Sequence, residues 1–160
     1  MKTLILVRHA KSDWPEDTED FDRPLAEKGV QDAVKMSQFL KENNIQIDQF
    51  ISSPALRALS TCQIFDEVYR IGIETDRKLY NASESNFESV TFGLQDNFDS
   101  VAFFSHNNGI SNFANSMTED LMMFPTCGVA GYAIDCDSWS DFENADKKLL
   151  FFHEPKKIKI

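Results

Sequence analysis

Two apolar runs, Leu4-Ile5-Leu6-Val7 and Val101-Ala102-Phe103-Phe104, most constrain what this chain can fold into. Neither alternates polar with apolar residues. Each therefore reads as a strand covered on both faces, as in a parallel sheet held between helices. Each run also ends in polar chemistry: Arg8-His9 comes after the first, and Ser105-His106 after the second. The chain has only three histidines, so two of them at strand ends is not something composition predicts. Ligands of open α/β sheets bind beyond the carboxyl ends of the strands, which places both histidines on one rim.

Strand and helix signals alternate between and around these runs. Thr3 to Val7 is the first strand. Val30, Ala33, Val34, Met36, Phe39 and Leu40 recur at mainly helical spacing and predict a helix from about Ala26 to Asn43. Gln49 to Ser52 reads as a short strand. Ser53-Pro54 then has the form of a helix start, with Ser53 as N-cap and Pro54 at the first helical position, and that helix runs to about Tyr69. A short strand over Ile71 to Thr75, a polar stretch from Asn81 to Ser85 and a helix near Phe87 to Gln95 lead to the strand at Val101 to Phe104. A helix over Ile110 to Met117 is next. Gly128 to Ile134 and Lys148 to His153 are the last strands, joined by the acidic segment Asp135 to Asp146, and are expected as an antiparallel addition at a sheet edge. Without a break in composition, this alternation points to one three-layer α/β/α domain over residues 1–160, with a mostly parallel central sheet.

Bulk properties narrow the function. A net charge of -10 disfavours nucleic acid or an anionic membrane as a general partner, because phosphate backbones call for a surplus of Lys and Arg. An anionic substrate is still compatible, since cations gathered in a cleft can outweigh the global charge locally. The apolar run at Leu4 is stopped by Arg8, too soon for a secretory leader, and no stretch reaches membrane-spanning length. Cys62, Cys127 and Cys136 are odd in number and lack metal-ligand spacing. A reducing cytoplasm, no disulfide framework and no metal or other cofactor are the expectations.

Arg57 joins the strand-end groups because it falls in the first turn of the helix after the strand at 49–52. A cation there opposes the helix dipole by roughly 0.3–1 kcal/mol when exposed, unless a bound dianion reverses the sign. Taken singly, each group has an ordinary reading. Arg57 can swing into solvent, Arg8 can pair with any acid, His9 can bond a backbone group, and His106 can cap the loop Asn107-Asn108-Gly109. Their joint placement at the ends of three strands argues for a shared anion pocket.

Leu6-Val7-Arg8-His9-Ala10, Ser52-Ser53-Pro54-Ala55-Leu56-Arg57-Ala58 and Ser105-His106-Asn107-Asn108-Gly109-Ile110-Ser111, in that order, resemble the three-part signature of the histidine phosphatase superfamily. Arg8 to Trp14, Asp22-Arg23-Pro24-Leu25 and Leu79-Tyr80 are similar to its SixA-type phosphohistidine phosphatases. The resemblance implies a phosphoglycerate mutase-like fold and a metal-independent covalent mechanism. His9 would be the nucleophile, and Arg8, Arg57 and His106 would bind the phosphoryl oxygens. The implied partner is a protein carrying phosphohistidine, or a small phosphorylated molecule, in a signal-transduction setting. The oligomeric state is left open.

Departures from the family pattern bear on the substrate. Ser105 stands where Gly is usual, and Asn108 where Pro is frequent. Larger members place a carboxylic acid near the segment matching Leu79-Tyr80-Asn81, whereas this chain has Asn81. Glu84 and Asp13 are the candidate general acids, with no acid at all as the third option. Weak provision for protonating a leaving group suits a labile phosphoramidate better than an alkyl ester. Glu16, Asp17, Glu19, Asp20 and Asp22 form either a solvated loop or a lip that turns away free anions and attracts a basic protein surface. Arg23 either lines the rim or pairs with this loop. A phosphomonoesterase of the same fold and a noncatalytic phosphate-binding module are the alternatives.

Overall fold

Strand β1 (Lys2–Arg8) divides its side chains between two cores. Leu4 and Leu6 pack on one side of the sheet, and Ile5 and Val7 on the other. Strand β4 (Ser100–Ser105) does the same, with Val101 and Phe103 facing one cluster and Ala102 and Phe104 the other. Burial on both faces is what the two unbroken apolar runs encode.

The structure, a computed structural model, describes residues 1–158. The remaining elements are α1 (Glu27–Glu42), β2 (Gln49–Ser52), α2 (Leu56–Tyr69), β3 (Ile73–Thr75), α3 (Glu84–Phe92), α4 (Gly109–Met117), β5 (Val129–Ile134) and β6 (Lys147–His153). One six-stranded sheet has the order β3-β2-β4-β1-β5-β6. The first four strands in that order are parallel, β5 runs antiparallel to β1, and β6 pairs antiparallel with β5 at the edge.

The chain first steps outward from β1 to β2 and β3, then returns to insert β4 beside β1. Right-handed crossovers in opposite directions put their helices on opposite faces. Accordingly, residues of α1 and α2 pack in the core with Ile5 and Val7, and residues of α3 and α4 in the core with Leu4 and Leu6. Three layers result, as expected.

Several boundaries differ from the sequence reading. Ser53 is not the N-cap of α2: that position is Ala55, whose side chain makes no capping bond. Arg57 is therefore the second helical residue, not the fourth. Strand β3 starts at Ile73 because Arg70 ends α2 in a left-handed conformation and Asp66 Oδ1 accepts from the Ile71 and Gly72 amides, turning the chain first. Helix α3 starts three residues earlier than expected, where Ser83 and Asn86 form a reciprocal capping box. The acidic segment before β6 is no mere tether. Its 3-10 turn at Trp139–Asn144 buries Trp139 completely, and the indole donates to the Phe98 carbonyl at 2.8 Å.

Gly29, in the first turn of α1, lies against the backbone of Lys11, just past β1. A Cβ there would overlap the Lys11 carbonyl, which also accepts from Ala26 N–H at 2.9 Å. Gly29→Ala is expected to cost about 1–3 kcal/mol through overpacking, measured by urea unfolding.

Candidate active site

Sheet register brings the site together. Arg8 lies opposite Ser105 at the ends of β1 and β4, and His9 N–H donates to the Ser105 carbonyl at 3.1 Å. On the other side of β4, Ser52 pairs with Phe104 and Ser53 N–H donates to the Phe104 carbonyl at 2.9 Å. His9, His106 and the start of α2 thus leave adjacent strands at the same level. The His9 and His106 ring centroids are 5.2 Å apart.

Arg8, His9, Arg57 and His106 all line one open cavity of about 480 Å³, with Lys11, Ser12, Asp20, Arg23, Asn81, Asn107 and Thr126. The four groups singled out in the sequence are therefore neighbours. Asp13 and Glu84, the two candidate acids, are not on the wall; both are solvent-exposed. Asn81 is on it, with a neutral amide where larger relatives would present an acid.

The His9 ring is held by its surroundings. Its Nδ1 is 2.7 Å from the Ala10 carbonyl, which can only accept, so the proton resides on Nδ1 and Nε2 keeps its lone pair. Ala10 N–H is tied to Thr61 Oγ1 at 3.0 Å, which couples this turn to α2. From α2, Arg57 Nε approaches His9 Nε2 at 3.3 Å. Burial, with the charges of Arg57, Arg8 and Arg23, lowers the His9 pKa to about 4 against the opposing bond to Ala10. His9 is therefore neutral near pH 7. His106 is lowered to about 3, chiefly by burial and then by His9 and Arg57. The family resemblance allows a protonated His106 as a charged donor; among these neighbours it is neutral.

Asp20 is the residue the sequence reading undervalued, because it sat unmarked among the acids of a loop. Its carboxylate accepts from Arg57 Nη2 at 3.1 Å, Tyr80 Oη at 2.7 Å and Arg23 Nη1 at 3.3 Å. Arg57 Nη1 also donates to the Asp20 carbonyl at 2.7 Å. Burial works to raise this carboxyl, but the bonds from Tyr80 and Arg57, with the nearby guanidinium charge, bring its pKa down to about 2. An ionised carboxylate thus provides the anion that a guanidinium near the start of α2 requires. No apolar periodicity marks Asp20; the nearest signal was its place one turn before Arg23.

Arg23 both lines the cavity and pairs with its own loop, donating to Ser12 Oγ at 2.8 Å as well as to Asp20. Arg8 Nη1 donates to the Phe124 carbonyl at 2.8 Å, while its buried Nε has no partner among the described residues. Ser105, where the family pattern has Gly, donates its hydroxyl to the Leu79 carbonyl at 2.6 Å. That bond anchors the segment leading to Asn81.

Two buried imidazoles and converging guanidinium groups line one pocket at the ends of parallel strands, and the chain belongs to the histidine phosphatase superfamily (branch 1), whose family model matches residues 4–110. A structure from Agrobacterium tumefaciens, described as a candidate phosphohistidine phosphatase SixA, is 28% identical and superposes with a TM-score of 0.83 over 96% of this chain and 99% of that one. The protein histidine phosphatase SixA complexed with tungstate shares the fold at a TM-score of 0.85 and 20% identity, covering 98% of this chain and 99% of its own. An uncharacterized protein of Mycobacterium tuberculosis is 27% identical over 94% of this chain and its own full length. A 2,3-bisphosphoglycerate-dependent phosphoglycerate mutase of Pelagibacter ubique is 38% identical over 57% of this chain, a match spanning 39% of the mutase.

The lowered histidine pKa values make folding pH-dependent. Above about pH 6.5 neither the folded nor the unfolded rings hold the extra proton, and they leave stability unchanged. Below it the unfolded chain takes up protons that the buried rings refuse, so stability falls until about pH 4 for His9 and about 3 for His106. The expected slope is up to about 1.4 kcal/mol per pH unit for each ring. Urea unfolding from pH 7 to 4 measures it, and a His9→Gln, His106→Gln double variant is expected to lose that part of the slope.

Proposed function

We propose that this protein is a phosphatase that works through a covalent phosphohistidine at His9 and acts on phosphohistidine in proteins. The observation that carries the reading is the His9 ring itself, with Nδ1 bound to the Ala10 carbonyl and Nε2 left as a neutral nucleophile beside Arg57. In the first step Nε2 attacks phosphorus as the bond to the departing nitrogen breaks. In the second, water attacks phosphorus, the P–Nε2 bond breaks, and phosphate leaves with His9 returned to its neutral form. Arg57 turns its donors from the nucleophile to the phosphoryl oxygens as the ring engages phosphorus, and Arg8 and His106 bind the other oxygens. Three guanidinium groups on the wall supply the positive charge that a metal ion would provide elsewhere.

Substrate choice depends on proton supply. Asp20 is ionised and engaged by three donors, and Asp13 and Glu84 do not line the cavity. A leaving group that departs without help from a carboxylic acid suits this wall, and the imidazole of phosphohistidine is such a group. Similarity to a phosphoglycerate mutase favours small phosphate esters as the second reading. The two separate when wild type is assayed on a phosphohistidine peptide and on an alkyl phosphate.

Labelled phosphate is expected to be trapped on wild type denatured in alkaline detergent, which preserves the P–N bond, and to be absent from His9→Ala. Arg57→Ala should lower kcat/KM on phosphoramidate by about 10²–10³-fold through lost transition-state charge stabilisation. No trapping on wild type removes the covalent mechanism.

The lip supports a protein substrate. Glu16, Asp17, Glu19 and Asp22 are exposed and form no ion pair among the described residues, whereas Asp20 belongs to the cavity. Beside them Trp14 is exposed, with the Arg23 guanidinium 4.5 Å from its ring centroid. Converting the four exposed acids to amides is expected to lower turnover of a phosphohistidine peptide with Lys and Arg flanks, relative to free phosphohistidine, at low salt. An unchanged ratio removes the protein-selecting role of the lip.

A further inference from the structure

We propose that Ser53 is a positioning residue for His106. Its hydroxyl donates to Nε2 and so holds the neutral ring in the form that carries a proton on Nδ1, the nitrogen offered to a phosphoryl oxygen. The proposal rests on the phosphoryl-transfer reading and gives Ser53 a task that helix capping does not.

Hydrogen positions come from counting donors and acceptors. Ser53 is fully buried. Its Oγ accepts from Ala55 N–H at 3.2 Å and lies 2.8 Å from His106 Nε2. His106 Nδ1 is buried and has no partner among the described residues. If Nε2 carried the proton, it would donate to Oγ, and the serine hydrogen would have no acceptor among these contacts. Nδ1 would then present a bare lone pair beside an incoming anion. With the proton on Nδ1, the Ser53 hydrogen is satisfied by Nε2, and the one group left over is an N–H on a ring that lines the cavity.

A doubly protonated ring would strand the Ser53 hydrogen again, and burial with the surrounding positive charge already opposes that form. The unpaired N–H is therefore, like Arg8 Nε, a donor that the described residues do not satisfy. An anionic oxygen supplies the acceptor it lacks. Both active-site imidazoles then carry their proton on Nδ1 but are used in opposite senses. The backbone takes the Nδ1 proton of His9 and leaves its Nε2 lone pair to Arg57, while Ser53 takes the lone pair of His106 and leaves its buried Nδ1 proton unpaired.

Nitrogen-15 NMR on histidine-labelled wild type at pH 7 tests this directly. The expected pattern is a protonated Nδ1 and bare Nε2 on His106, with the Nδ1 proton resonance shifting when tungstate is added. A protonated Nε2, or an Nδ1 proton indifferent to saturating tungstate, overturns the proposal. Ser53→Ala is expected to change the tautomer signature and lower kcat/KM on phosphoramidate at least 10-fold, with Ser53→Thr restoring most of the rate. A Ser53→Ala protein that keeps both signature and rate also overturns it. Failure of wild type to form phosphohistidine at His9 would instead count against the proposed function, and the tautomer pattern would still decide the role of Ser53.

Discussion

Two backbone hydrogen bonds set the geometry on which everything else depends: His9 N–H to the Ser105 carbonyl, and Ser53 N–H to the Phe104 carbonyl. They continue the parallel ladder one step past the formal ends of β1 and β2. Because register in a buried sheet is fixed by which side chains face which core, the same apolar pattern that packs Leu6 and Phe103 also fixes how far each loop emerges. A one-residue slip would turn both strands inside out and separate the two imidazoles. Packing and the geometry of the pocket are thus specified by one set of contacts.

The second constraint is electrostatic. Buried cations need compensation, and a site for a dianion must be stable before the dianion arrives. Asp20 meets that need by binding Arg57 through both its carboxylate and its carbonyl and by engaging Arg23 and Tyr80. Two N–H groups of the Arg57 guanidinium stay free beyond the three already used, so a phosphoryl group can be added without expelling the carboxylate. The same density of positive charge, together with burial, keeps both histidines neutral.

The sequence revealed the layers and the position of the cavity because both depend on long apolar runs and on the residues immediately after them. Arg8, His9, Arg57 and His106 were legible for that reason. Less visible were features made by single polar contacts across the fold. Ser53-Pro54 has the composition of a helix start, yet the serine oxygen turns to His106, a partner 53 residues away that local propensity cannot represent. Asp20 was hidden for the opposite reason: among several acids in one loop, only tertiary contact distinguishes the one that is held against arginine. The Trp139 turn was obscured by its charged neighbours, although its indole fills the core.

The Ser105 hydroxyl bond to Leu79 has a mechanical corollary. It staples the segment leading to the Asn81 wall to the end of β4. Among the described residues the facing loop has no such staple from a strand; its grip on the cavity runs through Asp20, by its carbonyl as well as its carboxylate. The two sides of the mouth are thus tied down by different means, one by a bond to the end of β4 and the other through Asp20.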